Sequence, residues 1–166
     1  MARLRRQKVG KMYFNGTIDI TDPCYDNDAW CRMTENVVAG EYLCLIWVAK
    51  ESYKENEITH CPTQRVGSIG IYLDGIIPKQ HDMREIGEIG VDAGVAGFFQ
   101  NKPDFSDKQW CDMCNIMRDG NAWIQDNHDG LCEGFWSASG YGDGVYPVYA
   151  FYDDNNQITA LEIRFM

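Results

Sequence analysis

The chain has 166 residues and a mass of 19.0 kDa, the size of one ordinary domain, and its 45% hydrophobic and 24% charged residues exclude disorder as a first reading. Its longest apolar run, Tyr42 to Ala49, is far too short to cross a bilayer. Asp and Glu total 25 against 15 Lys and Arg, a net charge of −10, which argues against broad, sequence-independent DNA binding.

In chain order, residues 1–11 hold Arg3, Arg5, Arg6, Lys8 and Lys11 and no acid. They read as a basic, solvated N-terminal tail, followed by a single β-rich domain over residues 12–166. The basic residues run into Tyr13-Phe14-Asn15-Gly16 with no apolar h-region behind them, which predicts no secretory signal and a cytoplasmic location. Short runs rich in Val, Ile, Tyr and Phe between turn residues predict strands at Thr17–Ile20, Glu41–Ala49, Arg65–Leu73, Glu88–Val91, Gly97–Phe99, Gly134–Ala138, Val145–Tyr152 and Gln157–Phe165. Tyr42–Ala49 is apolar on both faces and reads as a central strand. A weaker pattern predicts a helix over Asn27–Asn36.

A clearer helix spans 106–119. Ser106 and Gln109 form a capping-box pair, Trp110, Met113, Cys114 and Met117 follow at helical spacing, and Gly120 closes the last turn. The chain ends in a hairpin. Asp153-Asp154-Asn155-Asn156 is its turn, and Thr159, Leu161, Ile163 and Phe165 share one face while Ala160, Glu162 and Arg164 share the other, a half-buried antiparallel pattern. The expected fold class is α+β, a mainly antiparallel β-sandwich or half-barrel with one packed helix.

Seven cysteines (24, 31, 44, 61, 111, 114 and 132) are odd in number and scattered, which favours reduced thiols over a disulfide framework. Cys111-Asp112-Met113-Cys114 has redox spacing, yet it starts inside the helix rather than at its N-terminus, where the dipole lowers a thiol pKa. A zinc site would need further ligands from Cys24 with Cys31, or His60 with Cys61. His60, His81 and His128 show no metal-ligand spacing. The expectation is buried or inert thiols, no metal and no cofactor.

Three clusters carry chemistry-bearing residues. In Ser139-Gly140-Tyr141-Gly142-Asp143-Gly144, the glycines let backbone approach a ligand and the N–H groups form an anion nest. Ser139, Tyr141 and Asp143 add a hydroxyl, a ring and a carboxylate. The competing explanation is a tight connection between strands. In Asp19-Ile20-Thr21-Asp22-Pro23-Cys24-Tyr25, the proline holds Asp22 in extended or turn geometry, and Asp19, Asp22 and Asp26 lie close enough in sequence for acid/base work or a hard cation. A simple Asp-Pro turn explains the same residues. In Val91-Asp92-Ala93-Gly94, a carboxylate sits at a strand end among small residues, as pocket-lining groups often do. Catalytic candidates are therefore Asp22, Asp92 and Asp143. Ligand-binding candidates are Asp22, Tyr25, Asp92, Gly94, Ser139, Tyr141, Gly142, Asp143 and Gly144.

On Asp19–Tyr25, Gly90–Gly94 and Gly142–Tyr149 followed by the closing hairpin, the chain resembles the bacterial and phage family of unknown function numbered 4241, or a close relative of it. The resemblance spans most of the chain and leaves out residues 50–64, 100–133 and the basic tail. It implies a small β-rich protein, often carried on mobile or phage genomes, with no activity to transfer.

The reading is a binding module in which the three loops converge on one pocket for a small polar ligand. On a phage genome such a module would counter host defence, by sequestering a nucleotide signal or occupying a host protein. The alternative is a hydrolase using Asp22, Asp92 and Asp143, with or without a divalent cation. A third reading is a structural or interaction protein with no pocket. Whether the chain is an enzyme, and its oligomeric state, stay open at this level.

Overall fold

Alternating apolar residues between turns rich in Gly, Asp and Asn fold the chain into two stacked antiparallel sheets. The computed structural model describes residues 4–51, 54–55, 58–59, 63–116, 121–125 and 133–166. Its strands are β1 (Leu4–Phe14), β2 (Thr17–Thr21), β3 (Met33–Asn36), β4 (Gly40–Glu51), β5 (Lys54–Glu55), β6 (Ile58–Thr59), β7 (Thr63–Leu73), β8 (Met83–Val91) and β9 (Val95–Gln100). After helix α1 (Asp107–Ile116) come β10 (Ala122–Gln125), β11 (Glu133–Ala138), β12 (Gly144–Tyr152) and β13 (Ile158–Arg164).

One sheet runs β1-β4-β7-β13-β12-β8, the other β10-β11-β9-β2-β3, and β5 and β6 pair as a small hairpin. The fold is an α+β, mainly antiparallel sandwich with one α-helix among the described residues. None of the described helical residues forms a helix long and apolar enough to cross a membrane.

The core lies between the two sheets. Phe14, Tyr42, Ile46, Ile69, Ile71, Val148, Leu161 and Ile163 from one sheet meet Ile18, Ile20, Phe98 and Phe135 from the other. Small residues bring the sheet edges together. At one seam a side chain on Gly10 of β1 would sit 2.7 Å from Cδ1 of Ile124 in β10. At the other, the N–H of Gly90 in β8 donates to the carbonyl of Cys31, just before β3, at 2.8 Å.

The closing hairpin forms with Leu161 opposite Ala150 and Ile163 opposite Val148. Its turn is fixed by Asp153, whose Oδ1 accepts the N–H groups of Asn155 and Gln157, both at 2.9 Å, while Asn156 takes a left-handed φ of 59°. Tyr42–Ala49 is central, flanked by β1 and β7. The capping box is reciprocal: Ser106 N–H donates to Gln109 Oε1 at 2.9 Å, and Gln109 N–H to Ser106 Oγ at 3.3 Å. The helix packs outside the five-stranded sheet, where Met113 is buried against Val95, Phe99 and Trp136. Met117 and Gly120 lie outside the described residues.

Three expectations are corrected. Residues 4–11 are not a loose tail: they belong to β1 and pair with β4 from Leu4 opposite Ala49 onward. Charges on an edge strand face solvent and deter further strand addition, so a run of basic residues is compatible with a strand there. Asn27–Asn36 is not a helix. Ala29 N–H closes a turn on Asp26 O at 3.1 Å, and Met33–Asn36 pairs with β2, where Met33 packs on the core. Finally, β13 is buried on both faces. Ala160 belongs to a second apolar cluster with Leu45, Tyr72 and Phe151, packed with Leu43, Trp47 and Met83, on the outer face of the six-stranded sheet.

Candidate functional site

The three motif loops meet at one end of the sandwich, and Asp22 joins two of them. Its side chain is fully buried. Oδ1 accepts the N–H of Cys24 at 2.9 Å, and Oδ2 accepts those of Asp92 at 2.7 Å and Ala93 at 2.6 Å. Three backbone donors satisfy a buried carboxylate without a cation. They also leave it unsuited to proton transfer or ligand binding, because either would strip buried amides of their acceptor. Asp22 acts as a tie between loops.

The third loop is joined through Gly94, whose carbonyl accepts the N–H of Ser139 at 3.0 Å. Gly94 and Gly142 adopt left-handed φ values of 67° and 102°, and a side chain on Gly94 would lie 4.0 Å from the Gly142 Cα. Ser139 is buried and its Oγ donates to Gly142 O at 2.7 Å, while the Tyr146 hydroxyl donates to the same carbonyl at 2.8 Å. Ser139 and Gly142 thus spend their polar groups within the loop. Gly144 opens β12 opposite Val91, which brings Asp143 beside Asp92, and both of these carboxylates are exposed. Tyr141 is exposed too, with the Arg65 guanidinium 4.7 Å from its ring centre.

Tyr25 lies beneath this end. Burial, then a hydrogen bond to Cys31, pushes its phenol pKa up, and burial followed by the Asp22 carboxylate does the same to the Cys24 thiol. A thiol held protonated is a poor nucleophile and metal ligand. Asp19 is likewise committed, to Arg32 at 3.0 Å, Thr34 at 2.7 Å and the Lys102 N–H at 3.0 Å. The buried Lys102 ammonium donates to the carbonyls of Tyr25 and Pro103, both at 2.9 Å. These bonds build a rigid end of the fold from residues whose types alone suggested chemistry.

Cys24, Cys31, Cys44, Cys111 and Cys114 are free thiols. Among the described residues no group of three or more His, Cys, Asp or Glu is placed to hold a metal ion. His60, Cys61, His128 and Cys132 lie outside the described residues.

A cavity of about 480 Å³ lies elsewhere, over the outer face of the six-stranded sheet. Trp47, Tyr72, Phe151, Leu4 and Pro78 supply apolar walls, and Ser68, Gln80, Glu162 and Arg164 the polar lining. Register explains the assembly: Ser68 stands opposite both Trp47 and Arg164, so three neighbouring strands present side chains to one surface. Glu162 is only 7% exposed, and its carboxylate accepts from Ser68 Oγ at 3.1 Å, Tyr72 Oη at 2.7 Å and Arg164 Nε at 2.7 Å. Burial and the neighbouring Glu162 push the Tyr72 phenol pKa up. The Arg164 guanidinium stacks 4.3 Å from the Tyr149 ring centre and reaches Met83 Sδ at 3.1 Å.

Sequence reasoning missed this site because it placed Glu162 and Arg164 on a solvated face. One signal was available. Tyr42–Ala49 is apolar on both faces, so the outer side of its sheet also needs a cover, and polar residues on a neighbouring strand of that side need partners. Compared with known proteins, the chain matches no family model, no curated protein and no solved structure.

Proposed function

We propose that the protein is a small-ligand-binding module whose ligand occupies the cavity over the outer face of the six-stranded sheet. The observation that carries this reading is the cavity's construction, with aromatic walls around a buried, fully hydrogen-bonded Glu162. Small-molecule sites are typically concave, on the order of 300–1,000 Å³, mostly apolar and furnished with a few fixed polar groups. The network on Glu162 holds Tyr72 and Arg164 in place before a ligand arrives, which lowers the ordering cost of binding. The three-loop end supports the reading differently, since its internally satisfied bonds make a stiff scaffold.

Thermal-shift screening of a small-metabolite library, mononucleotides included, tests this. Ligands that raise the Tm of the natural chain should lose their effect on Leu4→Trp, which puts a larger side chain into the lining, and weaken on Trp47→Ala. Hits that shift both variants as they shift the parent would place binding elsewhere. A role against host defence, which follows only on a phage genome, requires that the hits be signalling nucleotides.

A further inference from the structure

Resting on that reading, we infer that the cavity selects a flat aromatic ring bearing a carboxylate, with the ring against Trp47 and Phe151 and the carboxylate on Arg164. The polar capacity of the lining decides the sign of the ligand. Glu162 already accepts three hydrogen bonds, so it has little left for a ligand donor or cation. Its charge is balanced by Arg164 at 2.7 Å.

Arg164 is different. A guanidinium has five N–H donors in a rigid fork. Here Nε is used on Glu162 and Nη2 on the Met83 sulfur, a weak acceptor, while Nη1 has no protein acceptor among the described residues. Both Nη1 hydrogens and one on Nη2 remain, so the Nη1/Nη2 edge pairs with a carboxylate through two parallel hydrogen bonds once the weak Met83 contact yields. Glu162 and Tyr149 hold that edge from behind and from one face.

The surroundings agree with an anion. Arg6 stands opposite Trp47 in the strand register, and its positive charge is near enough to act on the Tyr72 hydroxyl. Lys8 follows on the same face, opposite Leu45. Lys8 lies within reach of Asp74 and Glu85 lies beside Tyr149, so Arg6 is the added positive charge on the Trp47 and Tyr72 side of the cavity. A single guanidinium edge matches a planar carboxylate and leaves most acceptors of a phosphate dianion unserved.

The test is isothermal titration of the full chain with 2-naphthoate and its neutral isostere 2-naphthamide. 2-Naphthoate should bind at least about tenfold more tightly, which is about 1.4 kcal/mol. The paired substitution Glu162→Gln with Arg164→Gln removes both charges together and avoids a lone buried carboxylate. It should erase the preference while 2-naphthamide still binds, and Leu4→Trp should abolish both. Equal affinities, or a preference that survives the paired substitution, overturn the inference. Binding of 2-naphthamide alone would do so while leaving the cavity reading intact. If neither probe binds and the metabolite screen finds nothing that Leu4→Trp removes, both fall.

Discussion

The Asp22 carboxylate accepts the backbone N–H of Ala93 at 2.6 Å, across a sequence separation of 71 residues. This bond and its two companions turn a sequence motif into a structural tie. Asp22→Ala leaves three N–H groups at this buried position without their acceptor, so it should destabilise the protein by about 3–5 kcal/mol. Urea unfolding measures this. A loss under about 1 kcal/mol would mean that water replaces the carboxylate freely and that the loop end is open to solvent.

Leu161 is fully buried between the sheets on the central strand β13. Leu161→Ala should cost about 2–5 kcal/mol, the spread depending on how far Ile71 and Ala150, its register neighbours, close over the gap. Equilibrium denaturation of both proteins, with equal m-values, is the check.

Thiol reactivity should follow burial. Cys111 is exposed and should be alkylated within minutes by iodoacetamide at pH 8 under native conditions. Cys44 is buried and its thiol is pushed up to about 12 by burial, so it should stay unmodified until the chain unfolds. Mass spectrometry of timed digests distinguishes the two. Early modification of Cys44 would show that the core opens locally.

The same thiol predicts an alkaline limit to stability. Cys44 ionises near its ordinary value of 9.0 in the unfolded chain and at about 12 in the native one. Between those values the native state holds a proton that the unfolded state has lost, so stability falls as pH rises. Burial of the Tyr42 and Tyr72 phenols, raised from 10.0, acts in the same direction. Unfolding free energy should be flat near neutral pH and decline above about 9, and Cys44→Ala should decline less steeply.

Much of the sandwich was legible because its strands obey local rules. The alternation of Thr159 to Phe165, the Asp153 turn and the Ser106 capping box each depend on residues near one another in sequence. β1 and β3 were hidden for the opposite reason. Their residues are charged or polar, and only the partner strand, Glu41–Ala49 for β1 and Thr17–Ile20 for β3, makes them strands. The three motifs were visible as residue types, but Asp22's role depends on amides 70 and 71 residues away, which no spacing reveals. The cavity was hidden for a similar reason: Glu162 looks solvated until Ser68 and Tyr72, 94 and 90 residues earlier, are placed beside it.

The position of β13 has a consequence for how the chain reaches this fold. Ile158–Arg164 is the last strand in sequence yet sits in the middle of its sheet, between β7 and β12. Until it arrives, β1-β4-β7 and β12-β8 have no shared edge through which to hydrogen-bond. A chain without β13 therefore holds two unfinished half-sheets, with the inner faces of Ile69, Ile71 and Val148 uncovered. The contacts that join them span some 90 residues, as Leu161 opposite Ile71 does, and long closures of this kind make folding slow and late. A chain truncated after residue 157 should be protease-sensitive throughout the larger sheet, and restoring residues 158–166 should close both halves in one cooperative step.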